Sequence, residues 1–95
     1  MPAYVIADVE VFDPAGFEEY RQRVPGTIAR YDGRYLVRGG ECDTREGDWC
    51  PRRLIVLEFP SLARAREWFA SPEYAPLIVL RQRTARTKLV FADGI

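Results

Sequence analysis

Two apolar runs, Tyr35–Val37 and Leu54–Phe59, constrain this chain more than any other feature. Both are rich in β-branched, aromatic and aliphatic residues, and both are bounded by glycine or proline, so they read as strands. Between them, Gly40 to Pro51 is polar and turn-forming, with Gly47-Asp48 near the tip. The segment Gly33–Phe59 is therefore expected to be a β-hairpin, and the rest of the chain is arranged around it.

Tyr4 to Phe12 alternates cleanly, with Val5, Ala7, Val9 and Val11 on one side and Tyr4, Ile6, Asp8 and Glu10 on the other. This is a strand. Asp13-Pro14 then supplies an N-cap and a proline at the first helical position. Phe17, Tyr20, Val24, Ile28 and Tyr31 follow at helical spacing as one apolar stripe. Pro25 lies within that stripe and is expected to kink or split the helix near Val24. Asp32-Gly33 ends it. The second strand is expected over Arg34 to Gly39 and the third over Arg52 to Phe59. Pro60-Ser61 opens a short helix whose apolar side is Leu62, Ala65, Trp68 and Phe69. Ser71-Pro72-Glu73 repeats the start chemistry for a further helical segment to about Thr84, irregular at Pro76, and Thr87 to Ala92 reads as the last strand. The order β-α-β-β-α-β is the split βαβ arrangement, and residues 1–95 form a single domain.

Fourteen basic and fourteen acidic side chains leave no net charge. That speaks against nucleic acid, whose binders carry a basic excess on one face. The local run Arg81, Arg83, Arg86 and Lys88 is read as the solvated end of a helix entering an edge strand. With 47% hydrophobic residues the chain is not expected to be disordered. It shows no charged leader with an apolar signal core, and no apolar stretch approaches the ~20 residues of a membrane span. A cytoplasmic location without a membrane partner is expected, with Cys42 and Cys50 reduced. The two cysteines flank the hairpin loop, so a loop-closing disulfide is the alternative to two free thiols. With no histidine and only two cysteines, no zinc site and no bound cofactor are expected.

Sorting strand residues by side is more informative. The odd-numbered side (Val5, Ala7, Val9, Val11, Tyr35, Val37, Ile55, Leu57, Phe59, Leu89, Phe91) is apolar and belongs under the helices. The even-numbered side mixes Tyr4, Ile6, Leu36, Leu54, Val56 and Val90 with Asp8, Glu10, Arg34, Arg38, Glu58 and Lys88. A sheet side left in water is mostly polar, whereas each large aliphatic here is worth roughly 1.5–3 kcal/mol if buried. A second copy packed sheet to sheet about a two-fold axis covers that surface, so a homodimer is expected. If Cys42 lies opposite Cys50, the same register sets Arg34 opposite Glu58.

YDGRYLVRGG at 31–40, EGDW at 46–49, RRLIVLEFPS at 52–61 and SPEY at 71–74 together resemble the bacterial family called domain of unknown function 1330. The resemblance runs over nearly the whole chain. It implies a ferredoxin-like α+β fold of the dimeric α/β-barrel type, with a four-stranded antiparallel sheet and helices on one face, and it implies no established activity. Two departures stand out: Asp32 replaces a usual glycine, and Cys50 adjoins EGDW.

Without histidine, proton transfer falls to carboxylates and tyrosines. Glu58 and Asp8 lie on the mixed side, where burial would raise a carboxylate towards neutral pH and make it a general base or acid; the alternative is an interface ion pair with Arg34 or Arg38. Arg38 and Arg53 are candidate clamps for an anionic substrate, or structural partners of nearby acids. Tyr20 and Trp68 either fill the core or orient a ligand in a pocket between helices and sheet. Trp49, in the polar loop, is expected to fold back over the barrel end as a plug, the alternative being exposure for contact with a partner, and Tyr74 to turn its hydroxyl towards the same pocket mouth.

Three functions follow. The wider dimeric α/β-barrel superfamily, to which the chain looks similar, includes cofactor-independent oxygenases and isomerases. On that analogy Glu58 and Tyr20 are catalytic, and Arg38, Arg53, Trp49, Trp68, Tyr74 and Asp8 bind a small hydrophobic or aromatic substrate. A dimer that binds a small ligand without chemistry needs the same pocket but no perturbed acid. A haem protein would need an axial cysteine, Met1 or tyrosine, and ranks last.

Overall fold

The computed structural model describes residues 1–95. Strand β1 (Ala3–Val11) is followed by helix α1 (Pro14–Arg30), β2 (Arg34–Arg38), β3 (Leu54–Phe59), α2 (Leu62–Phe69), α3 (Ala75–Thr84) and β4 (Ala85–Asp93). The strands form one antiparallel sheet in the order β2-β3-β1-β4. This is the ferredoxin-like arrangement expected from the element order. No helix is long and apolar enough to cross a membrane.

Local chemistry accounts for the helix limits. The Asp13 side chain accepts from the Gly16 amide at 3.1 Å and starts α1. The Ser61 hydroxyl accepts from the Arg64 amide and starts α2. Ser71 acts one turn before α3, its hydroxyl accepting from the Tyr74 amide at 3.1 Å. Asp32 takes φ 66°, the left-handed conformation that a glycine adopts most easily. Its carboxylate also receives Arg64 Nε at 3.2 Å, a contact that glycine could not make.

Pro25 does not split α1, which runs unbroken to Arg30. A proline has no N–H to offer the carbonyl four residues back, so Arg21 lacks its helical donor. Arg38 Nη2 instead lies 3.4 Å from that oxygen.

The core lies between the helices and one side of the sheet. Trp68, Tyr74, Phe59, Leu77 and Val5 are its largest fully buried side chains. Val5, Ala7 and Val9 alternate buried with half-buried neighbours along β1. The other side of the sheet is open in the single chain, with Leu36 and Val90 exposed at 46% and 56%.

One irregularity changes the assignment of sides. Arg34 faces Glu58 and Tyr35 faces Leu57, but Val37 then faces Val56 and Arg38 faces Ile55. The register shift between Tyr35 and Val37 behaves as a β-bulge with Leu36 as the extra residue. Strict alternation had placed Val37 under the helices and Arg38 on the mixed side; the bulge exchanges them. The register that would align Cys42 with Cys50 therefore ends before the loop, and both cysteines are free and exposed. Gly39, three residues past the bulge, turns the chain with φ 72°, and a Cβ there would lie 2.8 Å from Arg53 Nη1.

Candidate functional site

A cavity of about 50 Å³ lies between the helices and the sheet. Its walls are largely apolar, with Val5, Val9, Ile55, Leu57 and Leu89 from the sheet and Phe17, Val24 and Ile28 from α1. Set among them are Tyr20, Tyr35, Tyr74, Trp68, Thr87 and the arginines 21, 38, 53 and 81. A mainly apolar lining with a few polar groups is the make-up of a small-molecule site, here at a volume well below the roughly 300–1,000 Å³ of a drug-sized pocket.

The helical stripe brings Tyr20 to the cavity, and the turn before α3 brings Tyr74. Their hydroxyls are 2.7 Å apart. Trp68 stacks on Tyr74 with ring centroids 4.2 Å apart and donates its Nε1–H to Thr27 Oγ1 at 3.0 Å, which fixes both rings. Burial pushes the Tyr20 hydroxyl well above its ordinary range; Tyr74 pushes the same way and Arg81 pulls against them. Burial also raises Tyr35, against the pull of Arg38. Tyr20 and Tyr35 therefore stay protonated at neutral pH, each with a proton it can donate.

The arginines differ in their partners. Arg21 is paired with Glu18 at 2.6 Å. Arg38 lies over the Tyr35 ring, 4.6 Å from its centroid. Arg81 is only 7% exposed, yet no carboxylate lines the cavity. Its Nε and the Thr87 hydroxyl are buried without a hydrogen-bond partner.

Of the residues expected from sequence, the structure brings Tyr20, Arg38, Arg53, Trp68 and Tyr74 together around this cavity. It sets Asp8, Trp49 and Glu58 apart from them, on the other side of the sheet. Asp8 is no base poised near neutrality: the Trp49 Nε1–H bond, with help from the backbone of Arg52 and Arg53 and from Lys88, lowers its carboxyl despite some burial. Asp8 Oδ2 accepts from Trp49 Nε1 and Oδ1 from the Arg52 amide, each at 2.9 Å. Trp49 is 55% exposed. It is tied down over the open side of the sheet, bordering a groove with Ile6, Asp8 and Val90. Glu58 Oε1 receives Arg34 Nη2 and Nε at 2.7 and 2.8 Å, so the ion-pair alternative describes its geometry.

Arg81 and Thr87 were missed. Arg81 follows Leu77 by one helical turn, and both are buried on α3, a spacing the sequence displays. Reading Arg81 as part of an exposed basic run hid that. Thr87 shares its strand parity with Leu89 and Phe91 and so falls on the helix side.

The family described as "Domain of unknown function (DUF1330)" matches residues 2–95, and the chain belongs to it. No curated protein matches the sequence. Solved structures share its fold at low identity. A protein of unknown function from Rhodopseudomonas palustris is 17% identical, with TM-score 0.75 over 99% of this chain and 82% of that one. A dimeric ferredoxin-like protein of unknown function from Jannaschia sp. CCS1 is 12% identical, with TM-score 0.72 over 99% and 100%. SnoaB, a cofactor-independent oxygenase from Streptomyces nogalater, is 18% identical, with TM-score 0.67 over 99% and 93%.

Proposed function

We propose, for this member of a family without an assigned activity, that the helix–sheet cavity takes a small hydrophobic or aromatic molecule. Tyr20 hydrogen-bonds the oxygen of that molecule on which negative charge develops, and no metal or bound cofactor takes part. The carrying observation is the hydroxyl pair of Tyr20 and Tyr74 at 2.7 Å. Each hydroxyl has one proton; with Tyr74 donating to Tyr20 within the pair, the Tyr20 proton is left for a ligand. Placed beside cationic guanidinium groups, such a donor stabilises an enolate or phenolate. That is the contribution a cofactor-independent oxygenase or isomerase asks of its protein, and the fold of the Streptomyces oxygenase supports the reading by analogy.

The proposal gives the chemistry to Tyr20 and leaves Glu58 on the far side of the sheet with Arg34. A second reading, a dimer that holds a small ligand without turnover, draws support from the lining itself. Nothing in it is a carboxylate or a histidine that would take a proton at neutral pH.

Screening hydrophobic and aromatic compounds for thermal stabilisation, followed by mass spectrometry of each reaction, separates the two. Turnover that falls roughly a hundredfold in Tyr20→Phe supports the enzyme. Stabilisation without product supports the binder. If no compound stabilises the protein, the cavity is not a ligand site.

The proposal includes a homodimer formed on the open side of the sheet. The charges there are Asp8, Glu10 and Glu58 against Arg34, Arg86 and Lys88, a balance that a self-complementary interface can pair. The likeness of fold to a dimeric protein supports it. The proposal also keeps the chain in the cytoplasm, where the free thiols of Cys42 and Cys50 stay reduced.

A further inference from the structure

A guanidinium withdrawn from water is costly unless an anion and hydrogen-bond acceptors replace the solvent. Arg81 is 7% exposed as a residue, and the Nε of its guanidinium is fully buried. It lines a cavity that holds no carboxylate, and its Nε–H has no acceptor. On β4, the Thr87 hydroxyl lines the same cavity and is likewise buried without a partner. Two unmet donors, one of them charged, thus line one largely apolar cavity, from α3 and from β4. Nothing in the packing of the core requires them, since an aliphatic side chain would fill either position without an unpaired polar atom.

We infer that Arg81 and Thr87 form an anion subsite, and that the molecule bound in this cavity carries a carboxylate on an apolar body. The guanidinium supplies the charge-assisted hydrogen bond, and the Thr87 hydroxyl donates a second one. The apolar walls take the rest of the molecule. At the subsite itself one guanidinium and one hydroxyl match the single charge of a carboxylate better than a doubly charged phosphate; of the other arginines on the lining, Arg21 is held by Glu18 and Arg38 lies over the Tyr35 ring, while Arg53 has no acidic partner. The inference rests on the cavity being a ligand site and adds the class of ligand.

The test uses monocarboxylates of increasing size, from acetate and propionate to benzoate and phenylacetate, each beside its neutral amide, because the cavity of about 50 Å³ must widen to admit a ring. Binding is read from NMR shifts of the Arg81 side chain and the Tyr20 and Trp68 rings. The acids are expected to bind roughly tenfold or more tighter than the amides. In Arg81→Met that preference is lost while amide binding persists, and Thr87→Val reduces it with the fold retained by circular dichroism. Arg81→Lys, which keeps a charge, serves if the methionine variant does not fold, and a partial preference is expected of it. Acids and amides that bind the cavity equally overturn the anion subsite and leave the ligand site standing. If neither class shifts any cavity resonance, both readings fall together.

Discussion

Arg38 pairs with Ile55 across the β2–β3 ladder, one residue away from Leu54, the partner that the Arg34–Glu58 register would have given it. That single slip carries the guanidinium through to the helix side, over Tyr35 and against the Arg21 carbonyl at 3.4 Å. The carbonyl is available because Pro25 has no N–H to give it. A bulge in one element and a proline in another thus meet at one hydrogen bond on the wall of the cavity.

Replacing Pro25 by alanine restores the helical donor to Arg21. An interior proline costs a helix about 3 kcal/mol, of which roughly 1 is recovered through the stiffer unfolded chain. Pro25→Ala is therefore expected to raise stability by about 1–2 kcal/mol in urea denaturation. The new N–H also competes with Arg38, whose side-chain resonance should broaden or shift. A variant less stable than the parent would show that Pro25 has a packing role not seen in these contacts.

The hydroxyls of Tyr20 and Tyr74 should be coupled energetically. Removing either by substitution with phenylalanine leaves its partner buried and short of a hydrogen bond, at about 1–2 kcal/mol. Removing both leaves nothing unsatisfied. The double variant is expected to lose less than the sum of the two singles, with a coupling of about 1 kcal/mol in a double-mutant cycle. Strict additivity would mean that the 2.7 Å contact contributes nothing to the fold, and that the pair is held together only by its rings.

Much of this could be read from residues in order. Alternation along β1, the Asp13-Pro14 start of α1 and the stripe from Phe17 to Ile28 have local causes, and the elements formed where those causes act. The bulge at Leu36 has none that a pattern displays. It shifts the ladder without interrupting the run Arg34–Arg38, so alternation assigned Val37 and Arg38 to the wrong sides. Arg81 was hidden for a different reason: charged residues are expected in water, and an arginine among apolar neighbours is distinguished only by its distance from Leu77. Tyr20, Trp68 and Tyr74 were legible as a set because core filling and ligand binding ask for the same side chains.

The Asp8–Trp49 contact predicts a response to acid. The Asp8 carboxyl is lowered from its ordinary value of 3.8, chiefly by the Trp49 bond. A carboxylate with a lowered folded value stabilises above its unfolded value and loses that contribution as pH falls through the folded one. The attachment of the loop is therefore expected to be intact above about pH 4 and to weaken below it. The Trp49 indole N–H resonance reports this directly, while Trp68, buried and bonded to Thr27, should not move. In Asp8→Asn the transition should disappear. Its persistence there would assign the acid response to another group.

The open side of the sheet supplies the test of assembly. Val90 faces Ile6 across the β1–β4 ladder, is 56% exposed in the single chain, and touches the groove that Trp49 borders. In a lone subunit Val90→Asp puts a charge where water already is, and surface changes of that kind lie within about 0.5 kcal/mol. In a two-fold dimer the same change buries two like charges, each with a desolvation penalty of several kcal/mol. The dimer dissociation constant is expected to rise by roughly a hundredfold or more, followed by light scattering across a dilution series. Unfolding of the dissociated subunit should be unchanged. A parent chain that remains monomeric at every concentration would leave Leu36 and Val90 exposed without a partner, and the pairing of sheets would have to be abandoned.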